Sequence, residues 1–270
     1  MNTSIALPGG AGSTWLHVKR AVDAVAACLA LLLLTPLFLL IMLAIKADSP
    51  GPVFFRVRRV GHRGKPLFML KFRKMHHNAA GSPLTTSQDP RLTRVGRVLT
   101  RCRLDELPQL WHVLRGEMSM IGPRPEDPAF VALHAKRYER ILSVRPGITG
   151  LSQIAYKEES EIVDGNRPIE DYLGRIMPQK LIMDTLYAGI TGPRVDLSIA
   201  WWTLVTMFLR RPVSVDRRTA RMNIRRRSAP HLRPVPAPTG APAAVSLGSA
   251  PVVVALATAP ASEAHESLTA

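Results

Sequence analysis

A chain of 270 residues can bury one substantial core plus appendages, and a formal net charge of +16 at pH 7 makes its partners anionic. Nucleic acid, phospholipid head groups and phosphorylated small molecules all satisfy that charge. Two cysteines, Cys28 in an apolar run and Cys102 in a basic one, exclude a disulfide framework and a cysteine metal cluster and point to a reducing, cytosolic face.

Residues 1–14 read as a flexible arm. From Ala24 to Ile45 no residue carries a formal charge, and as a helix this run would be about 33 Å long, close to the hydrocarbon thickness of a bilayer. It is too long for the core of a cleaved signal peptide and leads into Lys46 and a basic stretch. Lys19 and Arg20 precede it while Lys46, Arg56, Arg58 and Arg59 follow it, so the positive-inside rule gives no preferred orientation. Thr35-Pro36 falls mid-run, where proline removes a helix hydrogen bond and predicts a kink. Two paths stay open: one tilted spanning helix, or a helix that dips in, bends and returns. Asp23, at the edge of the run, is expected at head-group level near Lys19 or Arg20.

Residues 51–75 alternate apolar and basic positions around a Gly/Lys/Pro turn and predict a hairpin, with Phe54, Phe55, Leu67 and Phe68 on its buried side. Residues 76–90 are polar and turn-rich, a loop in which His76 and His77 are solvated. Arg91 to Leu104 predicts an amphipathic helix, with Leu92, Val95, Val98 and Leu99 on one side and Arg91, Arg94, Arg97 and Arg101 on the other. Residues 128–142 read as a helix, Arg145 to Gly150 as a turn, and 168–189 as a helical region broken near Pro178. Val195 to Pro212, with Trp201 and Trp202 beside Arg210 and Arg211, suits either an interfacial helix or a core helix. Arginines cluster from Arg217 to Arg227, and residues 228–270, rich in Pro, Ala, Ser and Thr, predict disorder.

The chemistry concentrates in "RLDELPQLWHVLRGEMSMIGPRPE", Arg103 to Glu126. Leu104, Leu107, Leu110, Trp111 and Leu114 predict one buried helix face that Gly116 ends. Pro108 belongs in a first turn, which makes Asp105 the N-cap with Glu106 just inside. An ionised Asp can attack phosphorus, and an adjacent Glu can hold a magnesium ion that also grips a diphosphate. Asp followed by Glu is also ordinary helix-start chemistry. Its neighbours shift the reading: Arg124 is stiffened between two prolines, and Lys71 and Arg73 share a strand face by alternation.

These residues resemble the bacterial sugar transferases that are monotopic phosphoglycosyl transferases, also called polyprenyl-phosphate glycosyl-1-phosphate transferases. The resemblance runs from Lys19 to Pro212 through "KRAVD", the proline-interrupted apolar helix, "GPVFFRVRRVG", "LKFRKM", "DPRLTRVGR", "LDELPQL", "GEMSMIGPRP" and "RPGITGLSQI", in that order. It implies an α+β, mostly helical fold: a re-entrant membrane helix over 15–47, a cytosolic catalytic domain over 48–212 with amphipathic surface helices, and a tail over 213–270. The implied site has Asp105 as nucleophile, Glu106 as catalytic group and magnesium ligand, and Lys71, Arg73, Arg101, Arg124, Gln153 and Lys157 as substrate contacts. The implied cofactor is Mg2+. Implied partners are a UDP-sugar, undecaprenyl phosphate and the anionic inner face of the bacterial cytoplasmic membrane, with homo-oligomers compatible and nucleic acid not expected. The chain departs from the family pattern at Val57, where Gln is usual, at Thr100, where an Arg is usual, and at Lys157, where an Arg is linked to nucleotide binding. Arg101 is the nearest substitute for that missing Arg, though on a helix it points about 100° away.

Two other classes compete. A membrane-tethered basic protein that binds lipid or nucleic acid explains the charge and the apolar run but leaves the ordered motifs without a role. A metal-dependent lipid-phosphate hydrolase would use the same acids and need no nucleotide sugar.

Overall fold

The computed structural model describes residues 13–79, 89–157, 172–208 and 213–224. Helix α1, Ser13–Asp48, runs through Pro36 without ending, and is long and apolar enough to cross a membrane by length and composition. It is fixed to the rest of the chain along its length. Lys19 pairs with Asp196 at 3.0 Å, Arg20 donates to the Val113 and Leu114 carbonyls, and at the far end Lys46 donates to the Gly51 carbonyl. Asp23 does not sit with Lys19 or Arg20: it is buried and accepts from the Ser119 hydroxyl at 2.6 Å and the Met120 N–H at 3.3 Å. Burying a carboxylate is costly unless such donors meet it, and they come from the chain segment leading to Arg124. Between these anchors Ala27, Ile41 and Ile45 are buried, while Val25, Leu29, Leu33, Leu40 and Leu43 face outward.

Strands β1, Phe54–Val60, and β2, Pro66–Phe72, form the expected antiparallel hairpin, in register from Phe54↔Phe72 to Val60↔Pro66. Its buried side agrees with the sequence reading at Leu67 and partly at Phe54, and differs elsewhere. Leu67, Met69 and Phe72 are buried, whereas Phe55 and Phe68 are each 57% exposed. Leu67 and Met69 leave one face of β2 and pack on Ala27 and Val113, while Phe72, of the opposite parity, is buried against Ile41 and Leu99. Helix α2, Arg94–Cys102, is capped by the Thr93 hydroxyl and keeps its basic face, with Arg94, Arg97 and Arg101 exposed; Val98 lies on that exposed side too. Gly96 is required there, because a Cβ would stand 1.8 Å from the Lys74 carbonyl oxygen. Of the expected loop over 76–90, residues 80–88 lie outside the described residues.

Helix α3, Leu110–Arg115, buries the expected Leu110 together with His112 and Val113 and leaves Trp111 48% exposed, so the buried face is turned away from Trp111. Strand β3, Ser119–Ile121, pairs in parallel with β4, Gly147–Thr149; "RPGITG" is thus partly a strand rather than only a turn. Helix α4, Pro128–Leu133, and α5, Ala135–Ile141, divide the single helix expected over 128–142. Helix α6, Leu151–Ala155, follows β4. A π-turn over Tyr172–Ile176 leads into α7, Met177–Ile190, with Pro178 at its start, and α8 is Pro193–Phe208. Strands β5, Val213–Val215, and β6, Met222–Ile224, form a small hairpin within the segment read as the start of the tail, and Val213 and Met222 enter the core beside Tyr187 and Ile199. The disorder expected over 228–270 lies outside the described residues. The architecture is mostly helical with small sheets, as expected.

Asp184 on α7 is buried with one carboxylate oxygen lacking a hydrogen-bond partner. Burial pushes its carboxyl up to about 7, with Ser152 and Lys180 only partly opposing. In the unfolded chain it titrates near 4, so its contribution to stability is full in acid and is lost as pH rises from about 4 to 7. Asp184→Asn should therefore stabilise the fold at pH 8 by on the order of 2–4 kcal/mol, with the gain shrinking toward pH 5. Thermal unfolding in detergent at the two pH values measures it.

Candidate active site

Asp105 and Glu106 lie on a short 3-10 helix, Leu104–Gln109, joined to α2 by Arg103 alone. Arg103 has φ 55°, and its N–H caps α2 on the Leu99 and Thr100 carbonyls. That left-handed conformation costs an L-residue roughly 1–2 kcal/mol. The turn it makes carries Asp105 inward, to 4% exposure. Asp105 is not the N-cap of an α-helix. Tight i→i+3 turns commonly precede α-helices, and here one holds both acids and Pro108 before α3 begins at Leu110.

Three further elements converge on the acids. The Lys71 ammonium, from β2, is 3.0 Å from Glu106 Oε1. Arg124 forks onto the same carboxylate, Nη2 to Oε1 at 2.5 Å and Nη1 to Oε2 at 3.3 Å. Lys74, beyond the end of β2, is 3.4 Å from Asp105 Oδ2. Burial alone would raise the Glu106 carboxyl, but Arg124 and Lys71 outweigh it and hold the group well below the usual carboxylate range. Burial also draws the Lys71 ammonium down, and Glu106 opposes this. Glu106 is ionised at neutral pH because two cations grip it at hydrogen-bond distance.

The loop that carries Arg124 is fixed on both sides. Gly122 lies so close to the following strand that a Cβ would stand 2.5 Å from the Arg145 carbonyl oxygen. Glu126 accepts from the Tyr172 hydroxyl at 2.5 Å, and Asp127 pairs with Arg59 at 2.9 Å. Lys180 and Arg59 hold the Glu126 carboxyl low in spite of its burial.

Of the residues singled out in the sequence, Lys71, Asp105, Glu106 and Arg124 are brought together. Arg73 is not: its guanidinium donates to the Ser49, Pro50 and Pro52 carbonyls and ties α1 to the hairpin. The strand ends at Phe72, so the alternation that paired Lys71 with Arg73 no longer applies, and Lys74 meets the acids instead. Arg101 is exposed on α2, and the Thr100 hydroxyl donates to the Gly96 carbonyl. The Gln153 amide approaches the Gly147 carbonyl, and Lys157 donates to the Thr206 carbonyl. Gln109, in the same motif as the acids, is buried with its amide nitrogen unpartnered. Lys74 is the contact that sequence reasoning missed, although "KFRKM" places it three residues after Lys71.

The family model of bacterial sugar transferases matches residues 14–210. The chain belongs to the bacterial sugar transferase family. One relative of this sugar transferase, a UDP-glucose:undecaprenyl-phosphate glucose-1-phosphate transferase from Caulobacter vibrioides, is 48% identical over 141 residues, covering 50% of this chain and 53% of the relative. A UDP-N-acetylgalactosamine-undecaprenyl-phosphate N-acetylgalactosaminephosphotransferase from Aeromonas hydrophila is 39% identical over 179 residues, 64% of this chain and 42% of the relative. The sugar transferase thus spans about half or less of the length of these two relatives. The exopolysaccharide production protein PSS of Rhizobium leguminosarum bv. phaseoli is 42% identical over 205 residues, covering 72% of this chain and 97% of the relative.

Among the described residues no three His, Cys, Asp or Glu side chains gather as a metal-holding group. Glu106, as a single carboxylate, fits a hard divalent cation of the kind that takes most of its ligands from water and phosphate oxygens and only one or two from carboxylates. It does not form a protein cage for the ion.

Removing the central carboxylate leaves two partly buried cations facing each other. Glu106→Ala should destabilise the sugar transferase by about 2–4 kcal/mol. Pyrophosphate should recover part of the lost Tm, because its oxygens can take the place of the missing carboxylate; thermal unfolding with and without the ligand checks both effects.

Proposed function

We propose that this sugar transferase moves a sugar 1-phosphate from a UDP-sugar to undecaprenyl phosphate, the first membrane-bound step of exopolysaccharide or a related glycan. The observation that carries the reading is the set of three cations, Lys71, Lys74 and Arg124, held against two adjacent carboxylates. A diphosphate is the ligand that can share such cations. Asp105 Oδ attacks the phosphorus next to the sugar, the bond from that phosphorus to the bridging oxygen breaks, and UMP leaves. An oxygen of undecaprenyl phosphate then attacks the same phosphorus and releases the Asp105 carboxylate, giving the lipid diphosphate sugar. Glu106 would hold Mg2+, which when bound neutralises charge on the diphosphate. Lys71 and Arg124 keep Glu106 ionised and offer their N–H groups to phosphate oxygens, and Lys74 keeps the nucleophile company with positive charge.

The relatives support the substrate class: those from Caulobacter vibrioides and Aeromonas hydrophila are named for UDP-sugars and undecaprenyl phosphate. The packing of α1 supports a re-entrant placement at the cytoplasmic membrane, with the catalytic part on the cytosolic side. Both ends of α1 bond to the same folded body, Lys19 to Asp196 and Asp48 to the Val95 N–H, across roughly 45 Å of helix. A helix held that way enters lipid with its outward apolar face while the body stays on one side.

The test is UMP release from a panel of UDP-sugars with undecaprenyl phosphate and magnesium. The wild type should release UMP, and Asp105→Asn should lower the rate at least a thousandfold, with no sugar-phosphate adduct on residue 105 by mass spectrometry of quenched reactions. An Asp105→Asn chain that keeps full activity would overturn the assignment. Release of inorganic phosphate without any nucleotide sugar would point to the hydrolase instead.

A further inference from the structure

We propose that His112 is a positioning residue for Lys71, acting through the backbone of β2. The inference rests on the transferase reading above and adds a residue to it. The Leu70 N–H points at His112 Nε2, 3.0 Å away, and an N–H can only donate. Nε2 therefore presents its lone pair, and the ring proton resides on Nδ1, which donates to Glu117 Oε2 at 2.5 Å. Both ring nitrogens are thereby engaged, Nε2 by the strand and Nδ1 by Glu117. Arg115 Nε holds the other oxygen of Glu117 at 2.9 Å, so the ring is oriented in turn by the segment that follows α3.

The place of this bond along the strand gives it a role. On one side β2 is paired with β1, Leu70 opposite Arg56. His112 takes the Leu70 N–H on the other side. Lys71 is the next residue, and successive strand side chains point to opposite faces, so fixing the Leu70 peptide fixes the direction in which Lys71 leaves the strand. Its ammonium then reaches Glu106 Oε1 at 3.0 Å. Filling space between β2 and α3 would require only an apolar ring. The arrangement Arg115, Glu117, His112, Leu70 directs a chain of part-buried polar contacts onto one backbone N–H, that of the residue before the lysine of the site.

The full chain in detergent, with UDP-sugar, undecaprenyl phosphate and magnesium, tests this by comparing His112→Phe with His112→Gln. Phe keeps a ring and loses the acceptor; the Gln amide oxygen can reach where Nε2 was. Per folded molecule, with folding followed by thermal unfolding, His112→Phe should lower kcat about tenfold and weaken UDP binding about fivefold. His112→Gln should stay within about threefold of wild type in both. An active wild type matched by His112→Phe, or equal losses in both variants, overturns the role. Nitrogen-15 spectra of the histidine rings add a readout independent of turnover: a His112 that is protonated on Nε2 overturns it as well. A wild type that releases no UMP sinks the transferase reading and takes this role with it, whereas failure in the variants alone sinks only the role of His112.

Discussion

Glu106 stands between Lys71 and Arg124, and most of the chain's architecture serves to hold those three charges together. Lys71 comes from a hairpin strand, Glu106 from a tight turn after α2, and Arg124 from a loop after β3. Each source is pinned separately. The strand is held by its pairing with β1 and by His112, the turn by the left-handed Arg103, and the loop by the close approach of Gly122 and by Glu126 with Tyr172. Partly buried like charges repel strongly, and the two cations share this space because one carboxylate binds both.

The second constraint is that α1 is both the long apolar helix, with a row of outward-facing leucines and valines, and a part of the fold that carries the site. Its buried residues contribute to two hydrophobic clusters, Ala27 with Leu67, Met69 and Val113, and Ile41 and Ile45 with Phe72 and Leu99. Asp23 reaches from this helix to the start of β3, the strand that leads into the Arg124 loop. The site and α1 are thus joined by direct hydrogen bonds, which sets the height of the carboxylates relative to the apolar face of α1.

What the sequence disclosed follows from the kind of signal each feature leaves. Asp105, Glu106, Lys71 and Arg124 stand in motifs whose residue types already imply phosphate chemistry, and the structure brings all four together. Arg73 was misplaced because period-two reasoning holds only inside a strand, and β2 stops one residue earlier. Phe55 and Phe68 looked like core by residue type, but Met69 and Phe72 are the ones that meet α1 and its neighbours. The short β3/β4 pairing and the Val213–Ile224 hairpin could not be read locally, because each depends on partners or on core neighbours distant in sequence. His112 gave no signal at all. A histidine inside an apolar helix pattern looks like packing until its two nitrogens are placed.

The way α1 is built into the clusters bears on how the protein could be handled. Cutting the chain after Asp48 to obtain a water-soluble catalytic fragment would strip the cover from Met69, Phe72, Leu99 and Val113 at once. It would also leave the Met120 amide without its Asp23 acceptor and the Ser119 hydroxyl with the Ile121 carbonyl alone. Such a fragment would lose part of its own interior, so α1 cannot be treated as a detachable tether.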